Sequence, residues 1–481
     1  MKPEFNRLIK TIKTEGWKKI QIEFGPDYLE IEVPPDCQEL SMKEVPPAAH
    51  PGQVVETALS HPLASPCLEK IIQAKNKAVS KLSVAIAVSD ITRPVPYQGE
   101  SGLLPPLLRR LEAAGIRKEN IKIIVATGLH RPTTAQEKLA MYGVEVVSNY
   151  QIIDHKADDP DLFLRIGVSS RGTPLSINRH FYLSDLKIVT GLVESHFFAG
   201  ISGGRKAICP GLVDVKTIEK FHGPEYLENP LATNLILEGN PCHEEALEIA
   251  QKVGVDFSLN VTLNKDLKPT AVFAGDLVES NLQAFQFIKD YVAIPLDREY
   301  DLVLTHGGYV GQNHYQTAKA AAGALPAVKQ GGTIIIVANN RDPFDPVGSP
   351  EYRTLLHLLK LKGPDGYLSL LQSPGWKFTR DQWEPEVWGK VLRKVGEEGL
   401  IYCSPEISRK DYDLLPGRSG LELLEEDSQM TLIEKAREMT RRAVLLAVAR
   451  RKSSGLPLSM AFIREGPYAV PYLLQTENGS Q

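Results

Sequence analysis

Two histidines, a lysine and several glycines lie close together in one part of this chain. His196 opens the run HFFAGISGGRK, which ends at Lys206, and His222 follows further along. Glycine has no Cβ and tolerates positive φ, so such a loop brings its backbone close to a bound anion. Imidazole and amine groups offer a proton acceptor, a point of covalent attachment and a metal ligand. This combination predicts a catalytic site.

Polar clusters also follow apolar runs elsewhere in the sequence. They occupy residues 89–93, 127–130, 191–196 and 306–309, and each comes directly after a run typical of a buried strand. Ligands of open α/β sheets collect at the carboxyl ends of the strands. We therefore expect these clusters to converge on one site.

The first two clusters contain an acid, an arginine and a histidine. The fork of Arg93 suits a carboxylate or phosphate, and Asp90 suits ribose hydroxyls, although a local Asp–Arg ion pair closing a turn is the alternative. His130 on its own is most simply structural. Paired with His196 it gains a function, because an enzyme that acts on both faces of a stereocentre needs two proton-transfer groups.

The glycine loop has a second interpretation as a phosphate loop, with Arg205 and Lys206 acting only as charges. It lacks the GxxxxGK[ST] spacing, and Ala207 stands where the hydroxyl belongs, which disfavours a nucleotide triphosphatase. His222 taken alone is more often structural than a ligand.

A further group of candidates follows in the second half of the chain. Gln316 and Lys319 are three residues apart, so on a helix they share a face and can hold a carboxylate, next to Tyr315. A solvated helix face is the alternative. Trp383 either walls a pocket or packs in the core. The other histidines show no partner spacing and are interpreted as structural; they are His155, His180, His243, His306, His314 and His357.

Composition places the chain among ordinary globular enzymes. It has 481 residues, a formal charge of −4, 42% hydrophobic residues and 24% charged residues. This charge argues against a general nucleic-acid binder. The five cysteines form no CxxC pair, so neither a disulfide framework nor a cysteine zinc site is expected. The N-terminal residues lack an apolar signal core, and no apolar run approaches the roughly 20 residues of a membrane span. We expect a cytoplasmic protein.

The order of elements predicts the α/β class. Residues 18–33 read as a hairpin and 34–66 mostly as loop, and apolar strands then alternate with helices, as in a sheet with crossovers. Pro295 and nearby charges predict a boundary between domains 1–294 and 295–437. The apolar stretch 442–450 fits either a strand or a helix.

Taken in order, these motifs resemble the nickel-dependent lactate racemase family. The blocks that carry the resemblance are DITRP at 90–94, GLH at 128–130, HFFAGISGGRK at 196–206, FHG at 221–223 and YQxxK at 315–319. The central block is highly specific, and the shorter ones contribute by order and spacing. The resemblance extends more weakly to Trp383.

The resemblance implies a tethered organometallic cofactor, the nickel-pincer nucleotide, a nickel complex of a pyridinium bis-thiocarboxylate mononucleotide. Lys206 matches the lysine of the covalent thioamide link, and His222 matches the nickel ligand. His130 and His196 match the two acid/base histidines. Cofactor and substrate contacts are matched by Asp90, Ile91, Thr92 and Arg93, and substrate contacts by Tyr315, Gln316, Lys319 and Trp383.

The implied fold is two α/β domains with the active site in the cleft between them, and with segment 438–481 returning to the first domain. The implied reaction inverts C2 of a 2-hydroxy acid. One histidine takes the hydroxyl proton, a hydride leaves C2 for the cofactor, and a 2-keto acid is reduced again on either face. Such an enzyme depends on cofactor-making enzymes. The polar run at 311–314 leads us to expect a substrate larger or more polar than lactate.

Two other classes of function remain as alternatives. A non-catalytic phosphate-ligand or metal-binding protein would reuse the glycine loop but has no need of paired histidines. A hydrolase with an ordinary divalent metal needs a ligand cluster such as HExxH, which the sequence lacks.

Overall fold

A computed structural model describes residues 7–425 and 429–474 of the chain. The chain divides into two compact units. The central unit is Lys43–Tyr291, and the terminal unit combines Met1–Met42 with Val292–Gln481. Each unit contains a six-stranded sheet with helices between its strands, so the fold is α/β, as predicted.

The strands are short and mostly buried. The terminal unit begins with β1 (Lys18–Phe24), β2 (Asp27–Val33) and β3 (Gln38–Leu40). The central unit contains β4 (Val84–Val88), β5 (Ile121–Val125), β6 (Gln151–Asp154), β7 (Phe163–Val168), β8 (Pro174–Asn178), β9 (Leu186–Leu192), β10 (Ser195–His196), β11 (Gly200–Ile201), β12 (Phe257–Leu263) and β13 (Pro269–Gly275). The terminal unit ends with β14 (Ala293–Leu296), β15 (Tyr300–His306), β16 (Val328–Val337), β17 (Leu400–Cys403), β18 (Arg418–Ser419), β19 (Met460–Ile463) and β20 (Val470–Leu473).

The α-helices of four residues or more are numbered in the same way. The central unit contains α1 (Pro51–Ser60), α2 (Leu68–Gln73), α3 (Leu104–Ala113), α4 (Ala135–Asn149), α5 (Arg179–Tyr182), α6 (Val215–Phe221), α7 (Pro224–Leu227), α8 (Pro241–Val253) and α9 (Leu277–Val292), whose last residue crosses into the terminal unit. The terminal unit contains α10 (His314–Ala324), α11 (Pro350–Leu371), α12 (Trp383–Val395), α13 (Arg409–Tyr412) and α14 (Leu432–Ser453).

The central sheet has the strand order β13-β12-β9-β4-β5-β6. All neighbours are parallel except β13, which runs antiparallel to β12. Every residue of β4 is buried, as expected for an apolar strand covered on both faces. From β4 the chain continues to β5 on one side and later returns to β9 on the other. This reversal of strand order marks the place where open α/β sheets bind ligands.

The terminal sheet is parallel throughout and has the order β18-β17-β16-β15-β19-β3. The loop after β15 leads into α10, where Asn313 caps the helix by accepting a hydrogen bond from the Gln316 backbone N–H at 2.9 Å. Helices α10 and α12 pack against each other. The candidate residues of the second half of the chain therefore lie on neighbouring helices.

The division of the chain differs from the predicted domains. Residues 1–42 do not belong with the central unit, because β3 pairs with β19 in the terminal sheet. Segment 438–481 likewise does not return to the first domain, because it contains β19 and β20 of the terminal unit. The short strand β3 has its partner at the far end of the chain, so no local pattern reveals the pairing.

Two local predictions can be compared with the structure. The stretch 34–66 is mostly loop, as predicted, but it also contains β3 and α1, and α1 begins with a proline, which suits the first turn of a helix. The stretch 442–450 is helical within α14, which starts with a capping box at Thr431 and Glu434. Over the described residues, none of the helices has both the length and the apolar character that crossing a bilayer requires.

Candidate active site

The loops after β4 and β5 join an aspartate to a histidine. His130 Nδ1 lies 2.7 Å from Asp90 Oδ2. The other oxygen of Asp90 accepts hydrogen bonds from the backbone N–H of Thr92 at 3.1 Å and from its hydroxyl at 2.6 Å. The carboxyl group is therefore held from both sides, and it orients the imidazole.

The Asp90 carboxylate stays ionised at neutral pH. Burial opposes its charge, but the His130 ring and the Thr92 hydroxyl outweigh burial and lower the pKa of Asp90 to about 2. An ionised carboxylate accepts the Nδ1–H of His130, so Nε2 is the ring nitrogen that can exchange a proton with a bound molecule. His130 is thus oriented for proton transfer, with 39% of its side chain exposed.

The glycine loop after β9 forms a two-stranded hairpin of β10 and β11, in which His196 pairs with Gly200. Gly200 has φ +76°, and a Cβ there would lie 2.3 Å from the Ile236 carbonyl oxygen. Only glycine fits this close approach. The hairpin buries His196, which is 5% exposed.

Arg205 stabilises this hairpin from inside the unit. Its Nη2 donates to the carbonyl oxygens of Ala199 at 2.8 Å and Ile201 at 3.0 Å, and its Nη1 donates to Asn281 Oδ1 at 2.9 Å. Burial lowers the pKa of the guanidinium to about 9. Because Arg205 serves the loop itself, the interpretation of this segment as a phosphate loop loses one of its two cations.

His196 and Lys206 contact each other directly, with Nε2 and Nζ 2.9 Å apart. The other ring nitrogen, Nδ1, accepts the backbone N–H groups of Phe198 at 3.4 Å and Ala199 at 3.3 Å. In a neutral imidazole one nitrogen accepts and the other donates, so the proton lies on Nε2. The Lys206 amine must then accept that proton, which requires an unprotonated amine.

The electrostatics of the loop point in the same direction. Burial first, and then the charges of Arg93 and Arg205, lower the pKa of Lys206 well below its ordinary value. An unprotonated lysine amine is a nucleophile. Geometry and electrostatics therefore both favour Lys206 as a point of covalent attachment.

His222 follows α6 and shares the neighbourhood of Lys206. Its ring lies edge-on to Phe198, with ring centroids 5.4 Å apart, and the Lys206 amine lies 5.3 Å from the centroid of the same Phe198 ring. Burial, with smaller effects of the Lys206 and His130 charges, lowers the pKa of His222 well below its ordinary value. A neutral imidazole is the form that binds metals.

Arg93 lies beside the hairpin. Its Nε is 3.1 Å from Glu194 Oε1, and its Nη1 donates to the Thr92 carbonyl oxygen at 3.1 Å. Glu194 in turn is tied to the loop, because its backbone N–H donates to the Ser202 hydroxyl at 3.0 Å. The side chain of Ile91 packs against the hydrophobic core of the central unit.

The candidates of the terminal unit come together on α10 and α12. Trp383 Nε1 donates to the Tyr315 hydroxyl oxygen at 3.0 Å, and Trp383 is 5% exposed. Lys319, one turn after Tyr315, acts electrostatically on the buried Glu384. Gln316 lies between them on α10. Each unit thus gathers its own candidate residues.

The potential metal ligands of the central unit fit a metal ion that is already bound to a cofactor. Among residues 7–425 and 429–474, no group of three or more His, Cys, Asp or Glu side chains is arranged to hold a metal ion. What the site offers is one buried neutral imidazole, His222, close to an unprotonated amine, Lys206. This pair suits a group that is both covalently tethered and metal-bearing, and it does not suit a hydrolase centre built from protein ligands.

Some residues of these clusters were not anticipated from the sequence. Glu194 and Glu384 directly adjoin candidate residues, but a single acidic residue carries no motif. Asn281 contacts Arg205 from a distant helix, which no local pattern shows. His306 and His314 have structural partners, as expected: His306 Nε2 lies 2.8 Å from the Arg464 carbonyl oxygen, and His314 Nδ1 lies 2.8 Å from the Tyr352 hydroxyl.

Part of the chain matches a known protein-family model. Residues 24–233 match the lactate racemase N-terminal domain. Two lactate racemases are each 34% identical over 342 residues. The protein from Lactiplantibacillus plantarum is matched over 77% of its length and 71% of this chain, and the one from Thermoanaerobacterium thermosaccharolyticum over 76% and 70%.

Solved structures agree with this result. The lactate racemase apoprotein from Thermoanaerobacterium thermosaccharolyticum superposes with a TM-score of 0.79 and 27% identity, covering 94% of this chain and 100% of that one. A protein from Thermotoga maritima has a TM-score of 0.64 and 17% identity over 90% of this chain, and shares the fold.

Proposed function

The chain belongs to the lactate racemase family, a family of isomerases, and we propose that it racemises or epimerises a 2-hydroxy acid at C2. The observation that carries the proposal is the hydrogen bonding of two histidines. Asp90 contacts Nδ1 of His130 at 2.7 Å, which leaves Nε2 to exchange a proton, and Nε2 of His196 lies 2.9 Å from Lys206 Nζ. A binding protein has no use for two imidazoles held in this way.

The reaction explains why two imidazoles are needed. The C2 hydrogen of a 2-hydroxy acid is poorly acidic, because a carbanion there would stand next to a carboxylate. Removing the hydroxyl proton while the C2 hydrogen leaves as hydride avoids that carbanion and gives a 2-keto acid. His130 Nε2 takes the hydroxyl proton of one enantiomer. The other imidazole returns a proton to the same oxygen when C2 is reduced on the opposite face.

Lys206 and His222 are the proposed attachment points of a nickel-pincer nucleotide. When bound, this cofactor supplies the hydride acceptor and the nickel. The Lys206 amine would form the covalent link, for which it must be unprotonated, and the imidazole of His222 would bind the metal. Asp90 keeps the His130 ring oriented, and Thr92 and Arg93 line the same region.

Substrate binding is proposed for the terminal-unit residues. The Lys319 ammonium and the Gln316 amide suit a carboxylate, and Tyr315 and Trp383 add a hydroxyl group and an apolar wall. We propose a substrate that is larger or more polar than lactate.

The direct test is turnover by protein produced together with the cofactor-making enzymes. Each enantiomer of a panel of 2-hydroxy acids is incubated with the protein, and the product is resolved by chiral chromatography. We expect the protein to invert at least one acid. The rate of inversion should fall by about 10²-fold or more in His130→Ala and in His196→Ala. His357→Ala, at an exposed helix position, serves as the control and keeps full activity.

Three results would contradict the proposal. One is full activity in either histidine variant, and another is binding without turnover across the panel, which is what a non-catalytic binder gives. The third is activity restored by zinc alone without the cofactor, which is what an ordinary metallohydrolase gives.

A further inference from the structure

One face of strand β12 is polar although the strand is buried on both sides. Its alternate residues Phe257, Leu259 and Val261 pack in the hydrophobic core of the central unit. The residues between them, Ser258 and Asn260, are fully buried on the opposite face. A strand covered on both faces usually carries apolar residues throughout. Because buried polar groups are hydrogen-bonded, the partners of these two side chains show what the polar face does.

Asn260 binds the backbone of the glycine loop. Its Oδ1 accepts the Gly204 N–H at 3.0 Å, and its Nδ2 donates to the Ser258 hydroxyl at 2.7 Å. Gly204 begins the 3₁₀ turn Gly204–Ala207, and the first N–H groups of such a turn have no acceptor within it. Gly203, which precedes the turn, has no side chain that could cap it. Asn260 therefore supplies the cap, from a strand 56 residues further along the chain.

The same turn is bound on another side by Asn281 of helix α9. Asn281 Oδ1 accepts the Arg205 Nη1–H at 2.9 Å. A Cβ at Gly204 would lie 3.2 Å from the Asn281 amide group, so the turn and the helix are in close contact. The two residues directly before Lys206 are thus each bound by an asparagine from a distant element.

This turn sets the position of the Lys206 amine. The Lys206 backbone N–H donates to the Gly203 carbonyl oxygen at 3.0 Å, which closes the turn. At the end of the side chain, Lys206 Nζ lies 2.9 Å from His196 Nε2. A lysine side chain is long and flexible, so its amine stays in one place only where the backbone that carries it is fixed.

We propose that Asn260 is a positioning residue for cofactor attachment, which fixes the turn before Lys206 and thereby keeps the amine against His196. Without the Asn260 amide, the Gly204 N–H is a buried donor with no acceptor, which costs about 1–3 kcal/mol and favours a displaced turn. The displaced amine moves away from His196 and toward water. This inference rests on the proposed function, which supplies the role of Lys206 as the attachment point.

The test follows the reactivity of Lys206 in the cofactor-free chain. A small acylating reagent is applied over a range of pH, and peptide mapping gives the pH at which Lys206 is labelled at half its maximum rate. Burial is the main cause of the lowered pKa of Lys206, so an amine that moves toward water is labelled at higher pH. In Asn260→Ala we expect the half-maximal pH to rise by about one unit or more.

Two further variants show whether the effect belongs to the turn. Ser258→Ala removes the partner of the Asn260 Nδ2 but keeps the bond to Gly204, so it should raise the half-maximal pH by less. Asn264→Ala is the matched control. It also removes an asparagine oxygen that accepts backbone N–H groups, but in the connection between β12 and β13, and it should leave the half-maximal pH unchanged.

A second measurement uses protein produced together with the cofactor-making enzymes. Mass spectrometry of the Lys206 peptide should show the adduct on about tenfold fewer chains in Asn260→Ala than in Asn264→Ala, because attachment requires a precisely placed amine. The labelling experiment needs no cofactor, so it tests the positioning role even where no acid is racemised.

Melting curves establish which variants are folded. A wild-type labelling profile in folded Asn260→Ala overturns the inference. An equal rise of the half-maximal pH in Asn264→Ala also overturns it, because the effect would then reflect a general loss of stability. Where Asn260→Ala does not fold, an unchanged profile in Ser258→Ala overturns it instead.

Discussion

The side chains that carry the proposed chemistry owe their states to near neighbours. His130 is oriented by Asp90, and His196 by two backbone N–H groups and an amine. Residue types and their positions after strands predicted this gathering in the central unit. The sequence did not predict the ion pair of Arg93 with Glu194 or the unpaired Oε2 of Glu384. Both depend on three-dimensional contacts, and a single acidic residue in a sequence gives no sign of them.

Replacing Asp90 by asparagine tests whether the orientation of the His130 ring matters for catalysis, and not only its presence. Asparagine keeps the shape but removes the charge that holds the Nδ1 proton, so we expect kcat to fall by about 10²-fold or more. Initial racemisation rates of Asp90→Asn are to be compared with those of Thr92→Val, which removes one hydroxyl contact and keeps the carboxylate. Equal rates in the two variants would contradict the orienting role.

The low pKa of the Asp90 carboxyl group predicts that the stability of the protein depends on pH. In the folded protein the pKa of Asp90 is about 2, below its ordinary value of 3.8. The ionised carboxylate therefore stabilises the folded state above pH 3.8, and this stabilisation is lost as the pH falls through about 2. Urea unfolding should show Asp90→Asn less stable than wild type by about 2 kcal/mol at pH 7, with a smaller difference near pH 2.5. A difference that stays constant across this range would contradict the assignment.

Lys206 should react as an amine at neutral pH. Burial lowers the pKa of Lys206 well below its ordinary value, so we expect a small acylating reagent at pH 7 to label Lys206 of the cofactor-free chain ahead of exposed lysines. Lys19, whose pKa is raised by Glu30, is the internal comparison. Peptide mapping measures both rates, and faster labelling of Lys19 would show that the Lys206 amine is protonated or inaccessible.

At the scale of elements, the sequence predicted most strands and helices because their apolar periodicity is local. It missed β3 and α1, which lie in a stretch rich in proline. The sequence predicted a glycine-rich loop where the structure has the β10–β11 hairpin. It did not show that Gly200 touches the Ile236 carbonyl oxygen, since that contact joins separate segments.

The hairpin should tolerate no side chain at position 200. Gly200→Ala adds a Cβ 2.3 Å from a carbonyl oxygen at positive φ, whereas Gly254→Ala adds one at φ +76° in open space. Both variants carry the left-handed penalty of roughly 1–2 kcal/mol, and the Gly200 variant should lose clearly more. Thermal unfolding measures the difference, and equal losses would mean that the hairpin adjusts freely.

At the scale of the whole chain, the terminal unit is built from pairings between the two ends of the sequence. β3 from the N-terminal segment and β19 from the C-terminal segment are neighbours in the terminal sheet, and β2 packs on α14. The predicted domains failed here because sequence patterns report order along the chain, whereas sheet order depends on partners far apart in it.

Removing residues 1–42 should therefore destabilise the terminal unit. Without β3 the edge of β19 is unpaired, and without β2 the apolar face of α14 is exposed. In limited proteolysis, we expect early cuts after residue 292 while the fragment 43–291 persists. Early cuts confined to the central unit would instead support the domain assignment made from sequence.

The central claim is that Lys206 anchors an organonickel cofactor beside the imidazoles of His130, His196 and His222. Its most direct test is peptide mass spectrometry of the Lys206 peptide from active, nickel-containing protein. The account predicts a covalent adduct on Lys206 that is missing in Lys206→Arg. An unmodified Lys206 in a sample that racemises its substrate would contradict it.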